Sequence, residues 1–215
     1  MPELARMKLQ SSWHFDSTCP AALGNDSYTP VCIFDADFTD AISQCTPIAK
    51  PASWGYGTWG EAGGIDYVQA VDNIPIFKQM ADYLGLVDPR INFHNQTNGQ
   101  MMYLHVDNIK TPPDREPSVD GIESDCTLPI IRRFVVMLAD WEMGQAWMFG
   151  NAMYHQWVSG TCITWDLHNM PHATVNAGWK DRPLVQITGT QTARTLHLLQ
   201  LAESNLNSMM PVVKL

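Results

Sequence analysis

Between Ile91 and Gly189 the chain is cut into short, alternating, turn-punctuated segments, and this texture restricts the fold more than any other feature of the sequence. The segments run over 91–95, 100–107, 132–139, 144–149, 153–158, 161–166, 171–176 and 183–189. Each has the length and the period-2 patterning of a strand, and no 3.6-residue period intervenes. Eight short strands in about a hundred residues is jelly-roll spacing. The expected fold class is therefore mainly β with flanking helices.

The flanks read differently. The first thirty residues are polar and turn-rich, with Asn25-Asp26-Ser27, and suit an arm over the surface. Val31-Cys32-Ile33-Phe34 is a short apolar strand, and Thr39-Asp40-Ala41-Ile42 opens a helix with Thr39 or Asp37 as its cap. Trp54-Gly55-Tyr56-Gly57-Thr58-Trp59-Gly60, followed by Gly63-Gly64, sets aromatics on a flexible backbone, either to close over a ligand or to plug the core edge. From Tyr67 to Leu86 apolar residues recur at helical spacing, with Pro75 marking a break or a second helix start. Leu196, Leu199, Leu201 and Leu206 suggest a closing amphipathic helix. With 215 residues, 45% of them hydrophobic, one domain suffices. It divides into an N-terminal arm and helical elaboration (1–90) packed on a β core with a C-terminal helix (91–215).

A net charge of -9 and a pI near 5.0, with no Lys/Arg run longer than Arg132-Arg133, argue against nucleic-acid partners and anionic membranes. Five cysteines, an odd number without C-x-x-C spacing, read as reduced thiols in a cytosol. Met1 to Phe15 carries Glu3, Arg6 and Lys8 without an apolar run, and nowhere do about 18 apolar residues follow one another. Neither a signal peptide nor a membrane span is expected, and the expected compartment is cytoplasmic.

The chemistry is concentrated around Leu104-His105-Val106-Asp107-Asn108. On a strand, Tyr103, His105 and Asp107 project to one face. An imidazole beside a carboxylate is two-thirds of a two-His-one-carboxylate facial triad, although a strand-end ion pair or turn cap has the same sequence. A third ligand must come from a strand remote in sequence, and the downstream half offers His155, His168 and His172. His168 and His172 stand at helical metal-pair spacing, but Asn169 and Pro171 between them oppose a helix. His172 is followed ten positions later (182 minus 172) by Arg182, at the start of an apolar strand. An arginine placed there can pair with a carboxylate inside a barrel.

This order, His105-x-Asp107, His172 sixty-seven positions on (172 minus 105), then Arg182, resembles the Fe(II)- and 2-oxoglutarate-dependent oxygenases. Asn98-Gly99-Gln100 leading into the His-x-Asp looks like the prolyl-hydroxylase type, whereas His172-x-x-x-Asn176-Ala177-Gly178 is closer to hydroxylases of small molecules and amino acids. The resemblance covers roughly residues 90 to 190. It implies a double-stranded β-helix (jelly roll, cupin-like) core. It implies Fe(II) held by His105, Asp107 and His172, with His168 as the alternative to His172, and Arg182 paired with the C5 carboxylate of 2-oxoglutarate. The implied activity is hydroxylation of a C–H bond of an amino acid, a peptidyl residue or another small metabolite, with release of succinate and CO2. The implied partner is a small-molecule or peptide substrate.

The sequence departs from the family at Leu184, where many members place Ser or Thr two residues after the arginine. Tyr103, Thr164 and Thr188 are the substitutes. Asn108 either orients Asp107 or caps the strand, and Arg133 either meets a carboxylate or ends a strand in solvent. Trp147 and Trp165, with Met101 and Tyr103, would wall the site or simply fill the core. His14, His94, His155 and His197 read as structural histidines, and Trp141-Glu142-Met143-Gly144-Gln145 as a hairpin turn. The segment 109–128, with Pro112, Pro113 and Pro117, reads as a lid or an insertion. Two other functions share this sequence pattern: a metal-dependent cupin-type enzyme that does not use 2-oxoglutarate, and a non-catalytic jelly-roll binding module.

Overall fold

The structure is a computed structural model that describes residues 28–51, 65–105, 107, 130–150, 152–167, 170–204 and 209–215. In chain order it contains β1 (Tyr28–Asp35), α1 (Thr39–Cys45) continuing into a 3-10 turn (Thr46–Ile48), β2 (Lys50–Pro51), β3 (Asp66–Val68) and α2 (Pro75–Leu84). Eight strands follow: β4 (Val87–Gln96), β5 (Met101–His105), β6 (Ile131–Met137), β7 (Gln145–Phe149), β8 (Ala152–Tyr154), β9 (Thr161–Trp165), β10 (His172–Asn176) and β11 (Arg182–Thr190). Helix α3 (Ala193–Ser204) and β12 (Val212–Lys214) close the described chain. All eight segments read from the sequence are strands, their ends shifted by at most four residues.

Two sheets share these strands in the orders β12-β1-β9-β6-β11-β4-β3-β2 and β5-β10-β7-β8. From β4 to β11 the chain passes back and forth between them, which makes the core a double-stranded β-helix, or jelly roll. Strand alternation decides the packing. On β6, Val135 and Met137 point between the sheets, against Trp147, Phe149, Trp165 and Leu184. Phe134 and Val136 point the other way, against Phe77, Met80 and Leu84 of α2 and Leu199 of α3. The larger sheet is thus covered on both faces, whereas the outer face of the smaller one leaves Leu104, Met148 and Met153 exposed.

The helical reading of 67–86 holds only from Pro75. Asp66–Val68 is instead a strand paired with β4, and Ala70 at φ +56 turns the chain out of it. Pro75 stands in the first turn of α2, where its missing N–H costs nothing, and Gly85 at φ +68 ends the helix. The cap of α1 also differs: Phe38 occupies the N-cap, and the Asp37 carboxylate accepts the Thr39 N–H at 2.9 Å. The division at residue 90 falls inside β4, and β1 lies between β9 and β12 as part of the larger sheet.

The turn at Trp141–Gln145 is not a hairpin, because it joins β6 of one sheet to β7 of the other. The Trp141 indole donates to Gln145 O at 2.7 Å and closes it. Cys32, Cys45 and Cys162 are buried free thiols, the first and last facing each other across β1 and β9. No helix among the described residues is long and apolar enough to cross a membrane.

Candidate metal centre and anion seat

Strands β5 and β10 are antiparallel neighbours with His105 opposite His172, and this pairing creates the site. From His172 to Thr174 the register on β5 moves from His105 to Met102, so β5 carries one extra residue and bulges there. It ends at His105, and Asp107 comes in from beyond the strand end rather than along one straight strand face. His105, Asp107 and His172 nevertheless converge, with one ligand atom from each lying within 4.8 Å of the others. His105 Nε2 is 3.9 Å from Asp107 Oδ1 and His172 Nε2 is 3.7 Å from Asp107 Oδ2. The two imidazole centroids are 4.3 Å apart.

The surroundings prepare these groups for a cation. His172 Nδ1 lies 3.1 Å from the Met170 carbonyl. A carbonyl only accepts, so Nδ1 carries the proton and Nε2 turns its lone pair towards Asp107. Burial foremost pulls the His172 imidazole down to about 4, which keeps it neutral near pH 7. Burial pushes the Asp107 carboxyl up, but Arg133, His172 and His105 together outweigh it and hold the group below its ordinary value. Two imidazoles and a carboxylate at one edge of a barrel suit a divalent transition metal with open positions.

Arg133 does not end in solvent. Its side chain faces the barrel interior, 13% exposed, with Nη1 2.6 Å from Asp107 Oδ2 and Nε donating to Thr188 Oγ1 at 3.0 Å. Thr188 is thereby committed to Arg133, and six residues along β11 separate it from Arg182, roughly 20 Å of strand. It cannot share a carboxylate with Arg182. Thr164 shares its face with Cys162 rather than with Ile163 and Trp165, and its hydroxyl donates to the Arg133 carbonyl at 2.7 Å. It is likewise removed from the barrel interior. Tyr103 lies on β5, but its side chain, Asn108, His14, His168 and the segments 52–64 and 109–128 are outside the described residues. His155 and His197 are exposed and take no part in the site.

Arg182 opens β11 and is 2% exposed. Its Nη2 donates to Gln96 Oε1, while among the described residues Nε and Nη1 have no acceptor. Burial pulls the guanidinium down to about 9, and among the described residues no acidic side chain offsets it. A buried cation with two unused donors, inside the barrel that carries the metal-type cluster, suits an anion brought from outside the protein. Trp147 and Trp165, both buried, lie between Arg182 and His172: Arg182 Cζ is 5.3 Å from the Trp147 ring, and the Trp165 ring is 4.9 Å from that of His172.

Three positions were given no part in the site from sequence. Gln96 orients Arg182 and donates to Thr174 Oγ1 at 2.7 Å. Asn176 pins the β10–β11 turn, donating to Gln96 O and Lys180 O at 2.7 and 2.8 Å and accepting from the Gly178 N–H at 3.0 Å. His94, assigned a structural role from sequence, lies opposite Leu184 on the interior face of β4. Burial foremost, then the charges of Arg133 and Arg182, pull it down to about 3. The alternation His94-x-Gln96 ahead of a turn was the available signal, since it sends two polar side chains into a barrel.

No protein-family model matches the chain, and no curated protein matches it. Solved structures do. A prolyl-4-hydroxylase of Pseudomonas putida is similar over 79% of this chain and 95% of its own, with a TM-score of 0.54 and 15% identity. The viral collagen prolyl hydroxylase of Paramecium Bursaria Chlorella virus-1, in a 2OG complex, is similar over 82% and 99%, with a TM-score of 0.50 and 14% identity. A non-haem α-ketoglutarate-dependent epimerase of nogalamycin biosynthesis is similar over 86% and 82%, with a TM-score of 0.52 and 13% identity. At these identities the likeness is one of fold: the chain has the double-stranded β-helix fold seen in two prolyl hydroxylases and an α-ketoglutarate-dependent epimerase.

Proposed function

We propose that the protein is an Fe(II)- and 2-oxoglutarate-dependent oxygenase that hydroxylates a C–H bond of an amino acid, a peptidyl residue or another small metabolite. The observation that carries this reading is the coexistence, in one barrel, of the His105/Asp107/His172 cluster and a buried Arg182 that has no counter-ion among the described residues. His105, Asp107 and His172 would hold the metal. Arg182 would take the distal carboxylate of 2-oxoglutarate. Bound there, Fe(II) and 2-oxoglutarate together supply dioxygen activation coupled to decarboxylation, giving succinate and CO2.

The protein's own contribution is positioning and exclusion of water. Met170 fixes the tautomer of His172, and Arg133 keeps Asp107 ionised and oriented. Gln96 and Asn176 fix the start of β11 and with it the guanidinium. Trp147, Phe149 and Trp165 line the space between the sheets and would help exclude water from it. A cupin-type enzyme without 2-oxoglutarate, or a binding module, leaves the desolvation of Arg182 uncompensated.

The test is spectroscopic. Anaerobic addition of Fe(II) and 2-oxoglutarate should produce the weak visible charge-transfer band of the chelate, lost in His105→Ala and Arg182→Ala. Absence of the band in the wild type, or its persistence unchanged in both variants, contradicts the proposal.

A further inference from the structure

We propose that the indole N–H groups of Trp147 and Trp165 complete, together with Arg182, the seat of the cosubstrate carboxylate, replacing the hydroxyl that Leu184 cannot supply. The inference rests on the reading of 2-oxoglutarate as cosubstrate and assigns residues of this chain to it.

The starting point is a shortage of acceptors among the described residues. Leu184, two residues after Arg182 on the same interior face, is buried and apolar, and neither Thr164 nor Thr188 can reach the guanidinium. Trp147 and Trp165 are 4% and 0% exposed, yet among the described residues neither Nε1 has a hydrogen-bond partner. Buried indoles ordinarily find an acceptor, so two adjacent ones without any call for an explanation. The rings stand next to each other, with centroids 5.4 Å apart and planes at 59°. Arg182 Cζ lies 5.3 Å from the Trp147 ring, and with the two unused guanidinium nitrogens, Nε and Nη1, the donor nitrogens without an acceptor among the described residues number four.

These donors ask for one kind of partner. A water molecule accepts but also donates, and leaves the charge of Arg182 unbalanced. A carboxylate accepts at about four lone-pair sites, donates nothing and supplies the missing negative charge. The path from Arg182 through Trp147 and Trp165 ends at His172, 4.9 Å from the Trp165 ring, so an extended dicarboxylate seated on it points its other end towards the metal cluster. Trp147 is fixed for this role by the register: it lies opposite Thr174 on β10, one inward position deeper than the Phe149–His172 pair.

The experiment uses full-length protein labelled with 15N-tryptophan, loaded with Zn(II) and titrated with 2-oxoglutarate, following the indole N–H resonances of its eight tryptophans. Trp147→Phe and Trp165→Phe assign two of them and keep an aromatic ring in place; through-bond assignment serves if either variant fails to fold. Both resonances should move downfield as 2-oxoglutarate binds. Each Phe variant should bind it roughly tenfold to a hundredfold more weakly, the range for losing one hydrogen bond to a charged group. Binding to wild type with both indoles unmoved and both variants unweakened overturns this assignment but leaves the cosubstrate reading intact. No binding to the metal-loaded wild type overturns both.

Discussion

Replacing Arg133 with Met removes a guanidinium from the His105/Asp107/His172 cluster while keeping an unbranched side chain of similar reach. Arg133 Nη1 stands 2.6 Å from Asp107 Oδ2, and the two side chains are only 13% and 12% exposed. Removing one partner of a buried pair leaves the other charge desolvated, at a cost of about 3–5 kcal/mol. In a chain of this size about 2–4 °C of melting temperature goes with each kcal/mol, so metal-free R133M should melt about 6–20 °C below the wild type. The pH dependence has a definite sign. In the wild type the Asp107 carboxyl lies below its ordinary 3.8, so its contribution to stability is present above that value and is lost as the pH falls through the lowered one. Without Arg133 the burial of Asp107 works against a weaker opposing set, its pKa rises, and the gap between variant and wild type narrows on acidification. A divalent ion held by the proposed ligands would replace the missing positive charge. Thermal melts at pH 7 and pH 5, in EDTA and in Mn(II), should show Mn(II) raising R133M more than the wild type. A metal-free variant melting within about 2 °C of the wild type at pH 7, or equal rises with Mn(II), refutes the reasoning.

Two further outcomes are expected. His172 and His94 are pulled down to about 4 and about 3 from an ordinary 6.5, so the unfolded chain takes up protons first as the pH drops. Metal-free protein should lose about 1.4 kcal/mol per pH unit for each of them between pH 6.5 and pH 4, read from urea titrations, and H172Q should remove the His172 share. A slope unchanged in that variant contradicts the assignment. Asn176→Ala strands the Gln96 and Lys180 carbonyls and the Gly178 N–H, and should cost about 2–4 kcal/mol in urea denaturation while weakening 2-oxoglutarate binding through the displaced start of β11. Stability within about 0.5 kcal/mol of the wild type would show that the turn holds itself.

The β core was legible because short apolar segments of strand length stand between turn signals, and both are local properties. The His105/Asp107/His172 cluster was legible through spacing, His105-x-Asp107 and His172 ten residues before Arg182, although Asp107 comes in from beyond the end of β5 rather than along it. Non-local facts were not. Val68 and Val71 fall by chance in phase with the apolar residues of α2, so a strand and a turn read as helix until Pro75. Val31–Phe34 is visibly a strand, but nothing in it says that it pairs with β9 on one side and β12 on the other. Arg132 and Arg133 are adjacent on β6 and point to opposite faces; which of them enters the barrel depends on register. The hydroxyls of Thr164 and Thr188 looked available in sequence because their partners, the Arg133 carbonyl and guanidinium, lie on a neighbouring strand.

The central claim is that the His105/Asp107/His172 cluster and Arg182 act as one site. Calorimetric titration of 2-oxoglutarate into the protein, metal-free and loaded with Mn(II), tests it most directly. Binding at one equivalent that requires the metal, and that is abolished both by His172→Ala and by Arg182→Gln, is the expected result. Binding of equal strength in EDTA, or binding that survives either substitution, would separate the two groups and contradict it.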